Sequence, residues 1–282
     1  MAIKVVVDSA TDISMKDAEQ MGIIMVPMTI TIGSEEYQDG VSLLPKEFYE
    51  KLIESDNLPK TSQINSFTWK EVFEKYTANG DELVVITISS KLSGTYNSAR
   101  MAAEEFGGRV VVIDSLNAAI GERLLAEYAI RLVDNGWDIN KIVDELEEKK
   151  NKINLMAMLG TLEYLKKGGR ISGAVAIAGK LLSIKPVIAI IDGEVKMIGK
   201  AMGSKNGGNL LNKLVADKGG IDFNMPFGVV WSGLDDSTLN KYVEDSSNLW
   251  QGETNNIPKY MLGGTIGTHV GPGAIGVAFF EK

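Results

Sequence analysis

The stretch "ITISSKLSGTYNSAR", residues 86–100, joins two kinds of pattern. A β-branched apolar run reads as a buried strand and ends at Ser89-Ser90. A Ser93-Gly94-Thr95 turn follows, and the residues after it read as a helix start. A strand that delivers the chain straight to a helix is the repeating step of a parallel α/β sheet. That helix N-terminus also offers unpaired N–H groups and the positive end of a dipole, so it attracts an anion.

The pattern repeats outward from this stretch. Strands are expected over 3–7, 83–88 and 110–113, with one extended segment over 23–32. Ser14 with Asp17 starts a short helix that Gly22 stops. Pro45 opens a helix whose apolar face is Phe48, Leu52 and Ile53, and Ser66 caps one carrying Trp69, Val72, Phe73 and Tyr76. A helix over 98–106 stops at Gly107-Gly108. Leu124, Leu125, Tyr128, Ala129, Leu132 and Val133 show helical spacing, and Asp138 caps the next helix, whose "EEKK" at 147–150 reads as a solvated face. The second half changes character. "KPVIAIIDGEVKMIGKA" reads as a hairpin around Asp192-Gly193. Further strands are expected over 227–231, 260–262 and 275–280, with helices over 204–217 and 237–250. The expected architecture is therefore α/β: a mostly parallel N-terminal sheet over 1–153 and a C-terminal α+β domain with a mixed sheet over 154–282.

Composition narrows the function classes. The 282 residues carry a net charge of −8 without a basic stripe, which argues against nucleic acid as a partner. There is no cysteine, so disulfides, thiolate catalysis and thiolate zinc sites are excluded, in keeping with an expected cytoplasmic location. "MAIKVVVDSATD" reads as a strand rather than a signal peptide, and no apolar run has the length of a membrane span.

Ligands of open parallel sheets gather at the carboxyl ends of the strands. Those ends carry Asp8-Ser9, Ser89-Ser90 and Asp114-Ser115, and the loop "PKTSQINS" adds Thr61 and Ser62. Ser, Thr and Asp also make ordinary caps and turns, so each one alone means little; several hydroxyls at one edge indicate binding. Ser93-Gly94 has too little glycine for a nucleotide loop. "GAVAIAGKL" from Gly173 fails as a phosphate loop, because five residues rather than four separate its glycines and Leu181 stands in the Ser/Thr position. The anion is therefore expected to be small, as a carboxylate is. His269, in "GTIGTHVGPGAIGV", is the only histidine, and no G-x-S-x-G elbow or H-E-x-x-H accompanies it. In "LEYLKKGGRISGA" a helix end explains Lys166, Lys167 and Gly168. It does not explain Arg170, which Gly168-Gly169 would let the chain present outward to an anionic partner, unless an internal salt bridge holds it.

These motifs together resemble the DegV or FakB fatty-acid-binding family: "VVVDSATDIS", "PKTSQ", "ISSKLSGTYNSA", "VIDSLNAAIGERLL", "LEYLKKGGRISGA", "LLSIKPVIAIIDGEV" and "GTHVGPGAIGV", in order along nearly the whole chain. The resemblance implies a two-domain DegV-like fold clasping one long-chain fatty acid. It implies that Ser93 and Thr61 hold the carboxylate, with His269 nearby, and that Ser62 and Gly94 belong to the same site. It further implies a non-enzymatic accessory subunit that presents the acid to a separate ATP-dependent fatty acid kinase for acyl-phosphate formation in phospholipid synthesis. No cofactor or metal is implied. Arg170 and Lys200 are the expected contacts to the phosphate or the partner, Lys200 lying in a segment where Met202 and Asn206 replace common basic residues, and transient membrane contact is allowed. Two other functions are consistent with the residues: an acyl hydrolase using a Ser and His269, or a binder of another small anion.

Overall fold

In a computed structural model, which describes residues 2–55, 57–171 and 184–282, the two halves differ as their sequence patterns do. β1 (Ile3–Asp8) leads through a 3-10 turn to α1 (Met15–Met21), where Ser14 Oγ accepts from Asp17 N and Gly22 closes the helix in the left-handed region. The expected single segment over 23–32 is two strands. β2 (Ile24–Val26) joins β1 in parallel, while β3 (Thr29–Ile32) pairs antiparallel with β4 (Glu35–Gln38). Pro27 lies at the break, where it has no N–H to continue a ladder.

α2 (Pro45–Glu54) buries Phe48, Tyr49 and Leu52. Ile53, expected on that face, is 61% exposed, and Tyr49 takes its place because it steps onto the same stripe as Phe48 and Leu52. The "TSQ" segment is not a loop: β5 (Lys60–Ser62) is the third strand of the small antiparallel sheet. α3 (Ser66–Thr77) is capped by Asn65 rather than Ser66, since Asn65 Oδ1 accepts from Thr68 N at 2.9 Å. β6 (Glu82–Thr87), α4 (Thr95–Ala103), β7 (Val110–Asp114), α5 (Ile120–Asp134) and α6 (Ile139–Lys149) complete the half. α4 starts three residues before the expected 98, directly after Gly94. The strand order β2-β1-β6-β7 is all parallel.

β8 (Ile153–Met158), α7 (Glu163–Lys167), β9 (Ile184–Ile191), β10 (Glu194–Met202) and α8 (Gly203–Asp217) open the second half. Asp192 and Gly193 both take positive φ, the requirement of a tight two-residue hairpin. β11 (Phe227–Trp231), α9 (Ser237–Asp245), β12 (Lys259–Met261), α10 (Gly264–Val270) and β13 (Ile275–Phe280) follow. α9 ends short of the expected 250, and α10 was not anticipated in the glycine-rich segment. The mixed sheet runs β10-β9-β8-β13-β11-β12, antiparallel except for β11 with β12. The "GAVAIAGKL" segment, read from sequence as a glycine-tolerant helix, lies outside the described residues.

α5 ties the sheets together. It touches β1 and β6 of the parallel sheet and β8, β11 and β13 of the mixed one. One apolar cluster accordingly runs from Val84 and Ile113 through Leu124 and Leu125 to Ala278 and Phe280. Leu124 is completely buried within it. Leu124→Ala is expected to cost about 2–5 kcal/mol, because the cavity left between two sheets cannot collapse freely. Urea denaturation measures this, and a loss well under about 1 kcal/mol would show that α5 is not the shared core.

Candidate ligand site between the two sheets

β6 ends at the carboxyl edge of the parallel sheet, and residues 88–94 carry the chain to α4. Leu92 N and Ser93 N both donate to Ser89 O, which forms a tight turn. That turn aims Ser93 at the start of α4, where its Oγ accepts from Thr95 N at 3.3 Å and lies 2.9 Å from Thr95 Oγ1. Gly94 lets the Gln63 amide lie against the backbone, where a Cβ would displace it. Thr61 arrives from β5, and its Oγ1 lies 3.0 Å from His269 Nε2 on α10. Thr61, Ser62, Ser93, Gly94, Arg170 and His269 all line one cavity of about 390 Å³. Most of the rest of its wall is apolar, with Ile88 and Leu92 from one half and Leu155, Leu165, Ile188 and Val230 from the other, and Gln63 and Thr265 add polar atoms.

One expectation is corrected. Arg170 does not turn outward, and among the described residues no salt bridge holds it. Its Nε donates to Leu92 O at 3.2 Å and its Nη1 to Gly168 O at 2.7 Å, so the guanidinium folds onto the cavity wall and braces the turn before Ser93. Two carbonyls within reach of a planar fork outcompete solvent for it. Lys200, expected as a contact to the phosphate or the partner, lies outside the cavity lining. It is exposed on β10, opposite Pro186.

Several hydroxyls and acids at the sheet edge fasten loops instead of lining the cavity. Asp8 accepts from Ala10 N and Ile88 N at 2.8 Å each, and Asp114 Oδ1 accepts from Ser90 N and Leu116 N. Ser89 Oγ donates to Gly193 O across to the β9–β10 hairpin, and Ser115 Oγ to Asn117 O. Ser9 Oγ donates to Asp39. Sequence reasoning also missed Gln63, Ala118, Ala119 and Thr265 in the wall. Ala119 holds a φ of 53°, a conformation its side chain disfavours, so the loop before α5 presents small residues to the cavity at some cost in strain.

His269 is neutral at pH 7. Burial pushes its pKa down to about 4, and the nearby Arg170 charge adds to the effect. Its Nδ1 is buried without a partner, and a Cβ on Gly168 would overlap that atom. An orphaned N–H costs more than an orphaned lone pair, so the proton belongs on Nε2, donating to Thr61 Oγ1. Among the described residues the ring bonds to no carboxylate through Nδ1, and its Nε2 partner is a threonine, unlike the base of a triad. Among the described residues there is no group of three or more His, Cys, Asp or Glu able to hold a metal, and no helix long and apolar enough to cross a membrane.

The profile of the DegV family, described as "Uncharacterised protein, DegV family", matches residues 2–282. The chain belongs to the DegV family. A DegV domain-containing protein of Caldanaerobacter subterraneus subsp. tengcongensis is 34% identical over 282 residues, covering 99% of both chains. A DegV family protein of Thermus thermophilus, described for its fatty acid binding, superposes with a TM-score of 0.87 at 30% identity over 100% of both chains. DegV of Bacillus subtilis, described as a fatty acid binding protein, gives 0.84 at 29% identity over 100% of both. The DegV fold, with its parallel and mixed sheets, is therefore the fold of this chain.

The His269 shift has a definite sign. The unfolded chain protonates its imidazole below about 6.5, whereas the folded protein holds it neutral to about 4. The contribution to stability is present above pH 6.5 and is lost as pH falls toward 4. Denaturation at pH 7 and pH 5 is expected to show a smaller drop for His269→Gln than for the parent. Identical drops in the two proteins would contradict the neutral, enclosed imidazole.

Proposed function

We propose that this chain binds one long-chain fatty acid, with its carboxylate between Thr61 and Ser93 and its acyl chain along the apolar cavity. The observation that carries the reading is the cavity itself: apolar walls from both sheets that close on a single polar corner. With Nε2–H donating to Thr61 Oγ1, the Thr61 proton is free for a ligand oxygen. Ser93 Oγ accepts from Thr95 N and pairs with Thr95 Oγ1 at 2.9 Å; with the Thr95 hydroxyl as the donor of that pair, the Ser93 proton is free as well. Arg170 supplies positive charge, which a carboxylate requires and a neutral alcohol does not. The fatty acid binding described for the Thermus and Bacillus relatives supports the same ligand class.

The corner reaches the surface, since Ser62 and Gln63 are exposed. A carboxylate held there is presented, while the chain is hidden. We therefore read the protein as a binding partner, not a catalyst, that offers the acid to a separate ATP-dependent fatty acid kinase, which forms the acyl-phosphate for phospholipid synthesis in the cytoplasm. In this reading residues 1–153 and 154–282 are two lobes that grip the ligand between them. Exposed Lys200 contacts the kinase, and brief membrane contact delivers the acid.

Hexadecanoate titrated into delipidated protein by calorimetry tests the site. Each lost hydrogen bond to a charged group is expected to cost about 1.5–3 kcal/mol, so Thr61→Val and Ser93→Ala weaken binding about tenfold or more apiece, and the double variant more than either. Unchanged affinity in the double variant would overturn the assignment.

A further inference from the structure

α10 carries His269, yet it has little to fix its own position. It spans seven residues, too few to be stable alone. Its closest packing against α2 and β3 goes through glycines: a Cβ on Gly264 would overlap Ile30 and Phe48, and one on Gly267 would overlap Phe48 and Tyr49. Such smooth apolar contacts bring the helix close without indexing it along or about its axis.

The indexing comes from two carboxylates of the other half. Asp12 Oδ1 accepts from Gly263 N at 2.7 Å. Asp39 Oδ1 accepts from Gly264 N at 3.0 Å and its Oδ2 from Thr265 N at 3.2 Å. Three consecutive N–H groups at the start of α10 are thereby fixed by side-chain acceptors. Asp39 is itself held. It is 1% exposed, Ser9 Oγ donates to its Oδ2 at 3.1 Å, and Ser9 Oγ in turn accepts from Met28 N at 3.0 Å. Asp12 keeps a φ of 56°, in the left-handed region that Asp tolerates better than most residues, to reach Gly263. One turn beyond the latched groups, the helix presents His269 to Thr61.

We infer that Asp39, seconded by Asp12, is a positioning residue for the ligand head: by latching the first N–H groups of α10 it sets the rotation that brings His269 Nε2 onto Thr61 Oγ1. Its ligand readout rests on the fatty acid reading above, whereas its readout on the imidazole does not. In Asp39→Asn the side-chain NH2 faces an N–H donor, so one of the two latch bonds becomes repulsive. The apolar and glycine contacts of α10 remain.

The test is a double-mutant cycle in the full-length protein with hexadecanoate as the probe, alongside the ¹⁵N imidazole resonances of His269 in the ligand-free protein. Asp39→Asn and His269→Gln are each expected to weaken hexadecanoate about tenfold, and the double variant to lose little beyond that, because both act through one contact. The Nε2 resonance is expected to shift in Asp39→Asn without ligand, a change that general destabilisation does not produce. Losses that multiply to about a hundredfold, with an unmoved resonance, would overturn the inference. If Asp39→Asn does not fold, Ser9→Ala, which removes one donor to Asp39 and leaves the carboxylate in place, is judged by the same two criteria. If hexadecanoate does not bind the parent protein, the binding reading fails and the resonance alone decides the positioning role.

Discussion

Thr61 Oγ1 and His269 Nε2 stand 208 positions apart in the chain and 3.0 Å apart in the fold. That hydrogen bond joins the small antiparallel sheet of the first half to a helix of the second, and it forms the polar corner of the cavity. Much of the architecture serves it. β5 holds Thr61 in register with Ile30, Asp12 and Asp39 hold the start of α10, and Gly168 leaves room for the ring. α5 keeps the two sheets at a fixed distance by packing on both. A shift of either half would pull the corner apart before it disturbed either sheet.

The energetics explain why such a corner matters in an otherwise apolar cavity. Burying an acyl chain of about 14 methylenes gains on the order of 10 kcal/mol, at about 0.8 kcal/mol per methylene. A bilayer offers the same chain nearly the same gain. In the proposed reading, selective capture therefore comes from the head, through hydrogen bonds to a charged oxygen. A neutral imidazole is suited to this role. Its Nε2–H donates to Thr61 and leaves the Thr61 hydroxyl as a donor, while Arg170 supplies charge from a position already braced by two carbonyls.

Local chemistry was legible in the sequence; long-range placement was not. The strand-to-helix step at residues 86–100, the Ser14, Pro45 and Asp138 helix starts, and the Asp192-Gly193 hairpin all stand where their residue types require. Each is set by neighbours a few residues away. β5 was hidden because Thr61 and Ser62 carry turn chemistry, and only pairing with β3 makes them a strand. α10 was hidden because its glycines oppose helix formation, and two remote carboxylates supply what propensity lacks. Thr61, Ser93 and His269 came together through the family resemblance, and hydroxyl chemistry alone would have given equal weight to Ser9, Ser89 and Ser115, which bond to protein atoms instead. For Arg170 the sequence suggests an outward guanidinium or an internal salt bridge, because no sequence pattern reveals two backbone carbonyls waiting for it.

The central claim is that one corner of this cavity holds a carboxylate. The most direct measurement is a crystal structure of the full chain with hexadecanoate. The account predicts continuous density along the cavity, with the carboxylate oxygens within hydrogen-bonding reach of Thr61 Oγ1 and Ser93 Oγ and the methyl end among the apolar walls. A carboxylate found away from those two hydroxyls, or a chain bound outside the cavity, would contradict it.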